Sequence, residues 1–171
     1  MKDLLEMDVI EHLFGKNQWD EKLGDAEESI KILTFNLGNQ TYGIKLGQIR
    51  EIVEPSPIQK VPHTPQWYRG IFSLRGESMP LIDLRTKMDI QPCPEDSNNA
   101  FMIFLHNGNP HAVIVDRVNE VLEILTSEVN FEVFREGNTE DFFRGTFIKD
   151  SQLIPLIDIT LLNLEYNRKA E

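Results

Sequence analysis

The side chains of this 171-residue chain best suited to chemistry are four histidines, one cysteine, Ser73 and a matched pair of aspartates. His12 and His63 stand alone, and His106 and His111 flank a turn, so none has the spacing of a metal-binding set. Cys93 lies between Pro92 and Pro94 and reads as a surface thiol. Ser73 sits in "GIFSLRG" (residues 70–76), which is neither a Walker loop nor a dinucleotide loop, and no helix follows it directly. A nucleophile elbow needs glycine two residues to each side of the serine, but Ile71 and Arg75 stand there. Asp83 and Asp158 could be a carboxylate pair, yet they occupy the same place in two copies of one motif, which favours a capping role. These residue types build no active site, and neither a cofactor nor a metal is expected.

The repeat behind those aspartates organises the chain. "YRGIFSLRGESMPLID" (residues 68–83) returns as "FRGTFIKDSQLIPLID" (residues 143–158), 75 positions later. Further upstream, "YGIKLGQIREIV" (residues 42–53) matches "HAVIVDRVNEVL" (residues 111–122) at an offset of 69. The offset grows through six extra residues, assigned to the acidic stretch "FEVFREGNTEDF". Arg69/Arg144, Gly70/Gly145, Phe72/Phe147, Pro80/Pro155 and Asp83/Asp158 are shared and should report the fold. Arg75 becomes Asp150 and Gly76 becomes Ser151, so the fold does not dictate them.

Each copy reads as β-sheet. Leu33, Phe35 and Leu37 alternate with Thr34 and Asn36, and after a Gly38/Asn39 turn Tyr42, Ile44 and Leu46 alternate again. A third strand is predicted over residues 48–54. Pro55, Pro57, Pro62 and Pro65 then forbid regular structure. A second hairpin is predicted around a turn at residues 76–77, and short helices capped by Asp83 and Asp158 should follow it. Five short strands per copy, with no room for crossover helices, predict two small antiparallel barrels or curled sheets. The predicted units are barrel one at 30–90, a linker at 91–99, barrel two at 100–163 and a tail at 164–171. Residues 1–29 form an arm in which Met7, Ile10, Leu13 and Phe14 make an imperfect apolar stripe, read as a mobile tail or a packing helix.

Composition removes several functions. The net charge is −11, and residues 1–29 carry nine acids against three lysines, a net of −6. That field repels phosphate backbones and anionic lipid. No apolar run reaches the length of a membrane span, and the acids in the first residues exclude a secretory signal. A single cysteine suits a reducing, cytoplasmic compartment. A small hydrolase using Ser73 lacks the necessary motif, and an oligonucleotide-binding barrel lacks a basic aromatic face.

The stretch from "ILTFNLGNQTYGIKLGQIREIV" through "VPHTPQWYRGIFSLRGESMPLIDL" resembles the CheW-like domain family, over about residues 30–163. Its most specific part is residues 70–84. Ser73 departs from the family's usual asparagine, and the arm exceeds the usual short N-terminus. The resemblance implies two five-stranded, SH3-like barrels around a shared core, no catalysis and no cofactor. It implies a cytoplasmic adaptor, associated with receptor arrays, that couples the tips of chemoreceptors to the C-terminal domain of a CheA-type histidine kinase. A pilus-motility or other CheA-like pathway is the alternative. Receptor helices would lie in the groove between barrels, and the kinase would meet barrel ends. Within that frame Glu51, alternating with Ile49 and Val53, requires a partner, and Arg75 is the candidate. Arg75 then either orders the groove through Glu51, contacts a partner directly, or is a plain surface residue. Ile49, Ile52 and Val53, with Val118, Val121 and Leu122, offer side chains to both strand faces. They place the receptor contact along the junction, near Leu74, Arg75 and Gly76. Gly70, Pro80, Asp83, Gly145, Pro155 and Asp158 are the structural set of the repeat.

Overall fold

A computed structural model describes residues 27–91, 98–131 and 142–166 of the chain. The apolar stripe of the arm and Cys93 lie outside the described residues. Ten strands carry the fold: β1 (Ser29–Leu37), β2 (Gln40–Lys45), β3 (Glu51–Val53), β4 (Tyr68–Leu74), β5 (Glu77–Asp83), β6 (Ala100–His106), β7 (Asn109–Val115), β8 (Arg117–Leu125), β9 (Phe143–Lys149) and β10 (Gln152–Ile157). The predicted third strand is shorter than its sequence pattern, because Leu46–Gln48 winds into a 3₁₀ turn before it. Among the described residues no helix is long and apolar enough to cross a membrane.

Two five-stranded sheets form, in the orders β8-β1-β2-β10-β9 and β3-β6-β7-β5-β4. Both follow one plan, but neither follows a repeat. The first sheet joins the opening hairpin of copy one to the last three strands of copy two, and the second does the converse. Residues 30–90 and 100–163 therefore do not make one barrel each. One barrel, here the inner barrel, is the continuous run from β3 to β7; the other, the outer barrel, is built from β1, β2, β8, β9 and β10. Alternating polarity fixes which face of a strand is buried, but it does not choose the strand's neighbour. The pairing is also not purely antiparallel, since β10 runs parallel to β2 and β5 parallel to β7.

Backbone bridges close both sheets into barrels. Gln59, beyond β3, exchanges hydrogen bonds of 2.7 and 2.9 Å with Ile71 of β4, and Asn130, beyond β8, does the same with Thr146 of β9 at 2.7 and 3.0 Å. This closure explains the repeated glycines. A Cβ on Gly70 would stand 2.4 Å from the Gln59 carbonyl oxygen, and one on Gly145 would stand 2.9 Å from that of Asn130. The repeated Arg and Asp are also explained, as ion pairs: Arg69 Nη1 lies 3.2 Å from the buried Asp83, and Arg144 Nε lies 4.0 Å from Asp158. Both aspartates cap as predicted. Asp83 accepts from the Thr86 amide at the start of α1 (Leu84–Lys87), and Asp158 accepts from the Thr160 amide of the 3₁₀ turn Ile159–Leu161. Pro80 and Pro155 are not on edge strands. Each sits one residue before its strand gains the parallel neighbour, where its missing N–H costs no ladder bond on that side.

Among the described residues three apolar clusters form. Phe72, Met79, Leu81, Phe101, Ile103, Ala112 and Ile114 fill the inner barrel. Ile30, Ile32, Val129, Phe147, Ile154 and Leu156 fill the outer one. Between the barrels lies the largest cluster, with Leu33, Phe35, Ile44, Met102, Phe104, Val113 and Ile157 among its members. The junction is thus a hydrophobic core in its own right, to which both sheets contribute.

Candidate functional site

The strands β3 and β8 occupy equivalent edges of the two sheets, and cross-strand register assigns each side chain to a face. Glu51 and Val53 lie opposite Ile103 and Phe101, members of the inner barrel's core, so they face that barrel's interior. Ile52 lies opposite Met102 and Val121 opposite Leu33, both in the inter-barrel cluster. These two face the junction. They are not covered there, with 40% of Ile52 and 48% of Val121 exposed to solvent. Ile49 and Val118 pack against the inter-barrel cluster, Leu122 against the outer barrel's core, and Val53 and Leu74 against the inner barrel's core. Of the six candidates, Ile49 just before β3 and five on the strands, two therefore keep an exposed apolar side chain at the rim of the junction and four serve packing.

Glu51 does find Arg75. The guanidinium donates two hydrogen bonds to the carboxylate, at 3.1 and 2.8 Å, in the bidentate arrangement that fixes both groups. The arginine is 74% exposed and the carboxylate 29%. Arg50 pairs with Glu77 at 3.3 Å beside them. Together with Leu74, Met79 and Ile103 these four charges line a cavity of about 180 Å³ at the mouth of the inner barrel. Glu51 and Ile52 thus place an ion pair and an exposed apolar side chain on opposite faces of one strand.

Arg75 and Gly76 form a two-residue turn in which both have positive φ, 51° and 81°. The turn falls one residue earlier than the sequence pattern suggested, because Leu74 pairs with Glu77. A type I′ connection requires left-handed backbone at both central positions, for which glycine is the easy choice and arginine is not. Asp150 and Ser151 hold the same geometry at the other barrel, with φ of 49° and 63°.

Sequence comparison missed an ion pair at that second turn. No arginine stands at the position equivalent to Arg75, yet Glu120 bonds Lys149, one residue earlier in the hairpin. A long ammonium side chain spans that offset, so an acid on the equivalent strand is answered in both barrels. The hairpin surfaces differ more. In the inner barrel Ser73 faces Ser78, and their hydroxyls lie 2.8 Å apart. The equivalent pair in the outer barrel is Ile148 and Leu153, which are 71% and 52% exposed. An offset of 75 applied residue by residue would have exposed this exchange of hydroxyls for alkyl groups.

Comparison with known proteins now supplies a context. A family model described as the CheW-like domain matches residues 31–165. A chemotaxis protein CheW of Helicobacter pylori is 31% identical over a match covering 64% of this chain and 66% of that protein. The chemotaxis protein CheW of Klebsiella aerogenes is 27% identical over 82% of this chain and 86% of its own length. The crystal structure of scaffolding protein TtCheW from Thermoanaerobacter tengcongensis superimposes with a TM-score of 0.72 at 29% identity, covering 79% of this chain and 92% of that one.

Proposed function

This chain belongs to the CheW-like domain family, and on that premise we propose that it is a non-enzymatic chemotaxis adaptor joining the cytoplasmic tips of chemoreceptors to a CheA-type histidine kinase. The observation that carries this reading is the exposed rim of Ile52 and Val121, aligned with the inter-barrel core on equivalent strands. A helical bundle docks on an apolar strip with a polar border, and this junction offers both. The receptor tip lies along that rim. Arg75 and Glu51 hold β3 in register from its other face and so position Ile52 rather than touch the receptor.

The kinase binds at the barrel ends. Ile148 and Leu153 support this assignment, because a solvated hairpin gains nothing from an exposed alkyl pair, and the equivalent hairpin uses two serines. The interface is reversible and of micromolar class, as suits a modest contact area.

The test separates the two surfaces. Ile52→Glu with Val121→Glu should abolish binding to a soluble receptor-tip bundle and spare binding to the kinase's C-terminal domain. Ile148→Glu with Leu153→Glu should do the reverse. Loss of kinase binding in the first variant, with receptor binding intact, would show the two surfaces to be interchanged. Retention of both partners by both variants would remove the adaptor interfaces altogether.

A further inference from the structure

The β6–β7 hairpin brings together two histidines whose spacing in the chain suggested nothing. Asn109 faces His106 across the hairpin and His111 faces Phe104, so the two imidazoles are diagonal neighbours on one face of the pair. Their ring centres lie 5.4 Å apart, with an interplanar angle of 70°. Both Nδ1 atoms sit against backbone carbonyls, that of His106 at 3.2 Å from Thr160 and that of His111 at 3.1 Å from Asn109. A carbonyl oxygen only accepts, so each Nδ1 must be the donor. Each Nε2 is then left with its lone pair in the plane of the ring.

Metal-binding histidines show this arrangement. A backbone carbonyl on one ring nitrogen fixes the tautomer and aims the other nitrogen at the ion. A zinc-class ion held about 2.0 Å from two Nε2 atoms at a tetrahedral angle separates the ring centres by roughly 5 Å, which matches the observed distance.

We propose that His106 and His111 form a two-imidazole site for a borderline divalent cation of the zinc, nickel and copper class. Among the described residues no third His, Cys, Asp or Glu joins a metal-binding group. The remaining coordination positions therefore belong to water, and the ion is exchangeable rather than structural. Half the ligands of a closed site give about half its binding free energy, which corresponds to a Kd between roughly micromolar and sub-millimolar. His106 also contacts the carbonyl of Thr160, in the 3₁₀ turn that follows the outer barrel's last strand. An ion here therefore cross-links β6 to β7 beside the contact that joins this hairpin to the outer barrel's end. The site is independent of the adaptor reading.

Zn²⁺ titrated into the full chain at pH 7.5, followed through imidazole proton–nitrogen correlations, tests this directly. The ion-free protein should show both rings as Nδ1–H tautomers. Saturation should shift the Nε2 signals of His106 and His111 together, at one ion per chain. His106→Gln and His111→Gln should each weaken binding at least tenfold, whereas His63→Gln should leave it unchanged. An Nε2–H tautomer on either ring would overturn the site, and wild-type protein alone decides that point should a variant fail to fold. So would zinc-induced shifts confined to other histidines, or binding that survives both substitutions.

Discussion

Replacing Arg75 by glycine separates what the turn needs from what the protein uses. A non-glycine residue at φ 51° costs about 1–2 kcal/mol relative to glycine. Against this stands the bidentate pair with Glu51. Because the guanidinium is 74% exposed, the pair belongs with solvent-exposed ion pairs, about 0.2–1 kcal/mol, and its two parallel hydrogen bonds place it at the upper end. Arg75→Gly therefore loses the pair and relieves the backbone, and its stability should stay within about 0.5 kcal/mol of wild type or rise. Arg75→Ala loses the pair and keeps the strain, so it should fall by about 0.5–1 kcal/mol. Urea denaturation of both variants, with Glu51→Gln and the double mutants, gives the coupling energy. In 1 M salt, where the Debye length is about 3 Å, most of that coupling should vanish. Receptor-dependent kinase activation, measured on the same proteins, should drop in Arg75→Gly although its fold is intact. Strictly additive stabilities would reject the pairing. Full activation by Arg75→Gly would refute the claim that the ion pair positions β3.

Gly70→Ala should cost about 2–5 kcal/mol, combining a Cβ 2.4 Å from the Gln59 oxygen with a φ of 141° closed to other residues. Gly145→Ala meets Asn130 at 2.9 Å without that φ, and equal losses for the two in thermal denaturation would contradict the barrel-closure account. His111 is held below its ordinary pKa, chiefly by burial, so the unfolded chain binds its proton more readily than the folded one. Stability should therefore fall as pH drops below about 6.5, and His111→Gln should flatten that slope between pH 7.5 and 5.5; an unchanged slope would clear His111 of it.

The legible part of the fold was local. The shared face of Leu33, Phe35 and Leu37 and the turn at Gly38 and Asn39 appear as written, because side-chain period and turn chemistry act over a few residues, but β1 is not half-buried, since Ile32 and Thr34 on its other face are buried as well. Asp83 and Asp158 cap for the same reason. The partner of each hairpin was not legible. Leu33 is as content against β8 as it would be against a strand of its own copy, since both offer an apolar face. Pairing is decided by how the whole chain closes, which no window of sequence contains. The candidate site divides likewise. Glu51 with Arg75 could be anticipated because a carboxylate on an apolar face must be answered. Lys149 with Glu120 could not, because the compensating cation had moved one position and changed type. His106 and His111 meet only through the register of β6 on β7.

The exchange of strands between copies fixes how the two barrels depend on each other during folding. The inner barrel is one uninterrupted segment whose ladders join near neighbours, whereas the outer barrel must bring β2 beside β10 and β1 beside β8 across everything between. Closing a flexible loop of the roughly 70 intervening residues costs about 4 kcal/mol in chain entropy. Once the inner barrel has folded, its ends at Glu51 and Val115 are held by the ladder, and the loop between β2 and β8 is no longer flexible. An inner barrel that closes first would serve as an intramolecular template for the outer one. Any substitution that slows its closure, at Gly70 before all, delays both.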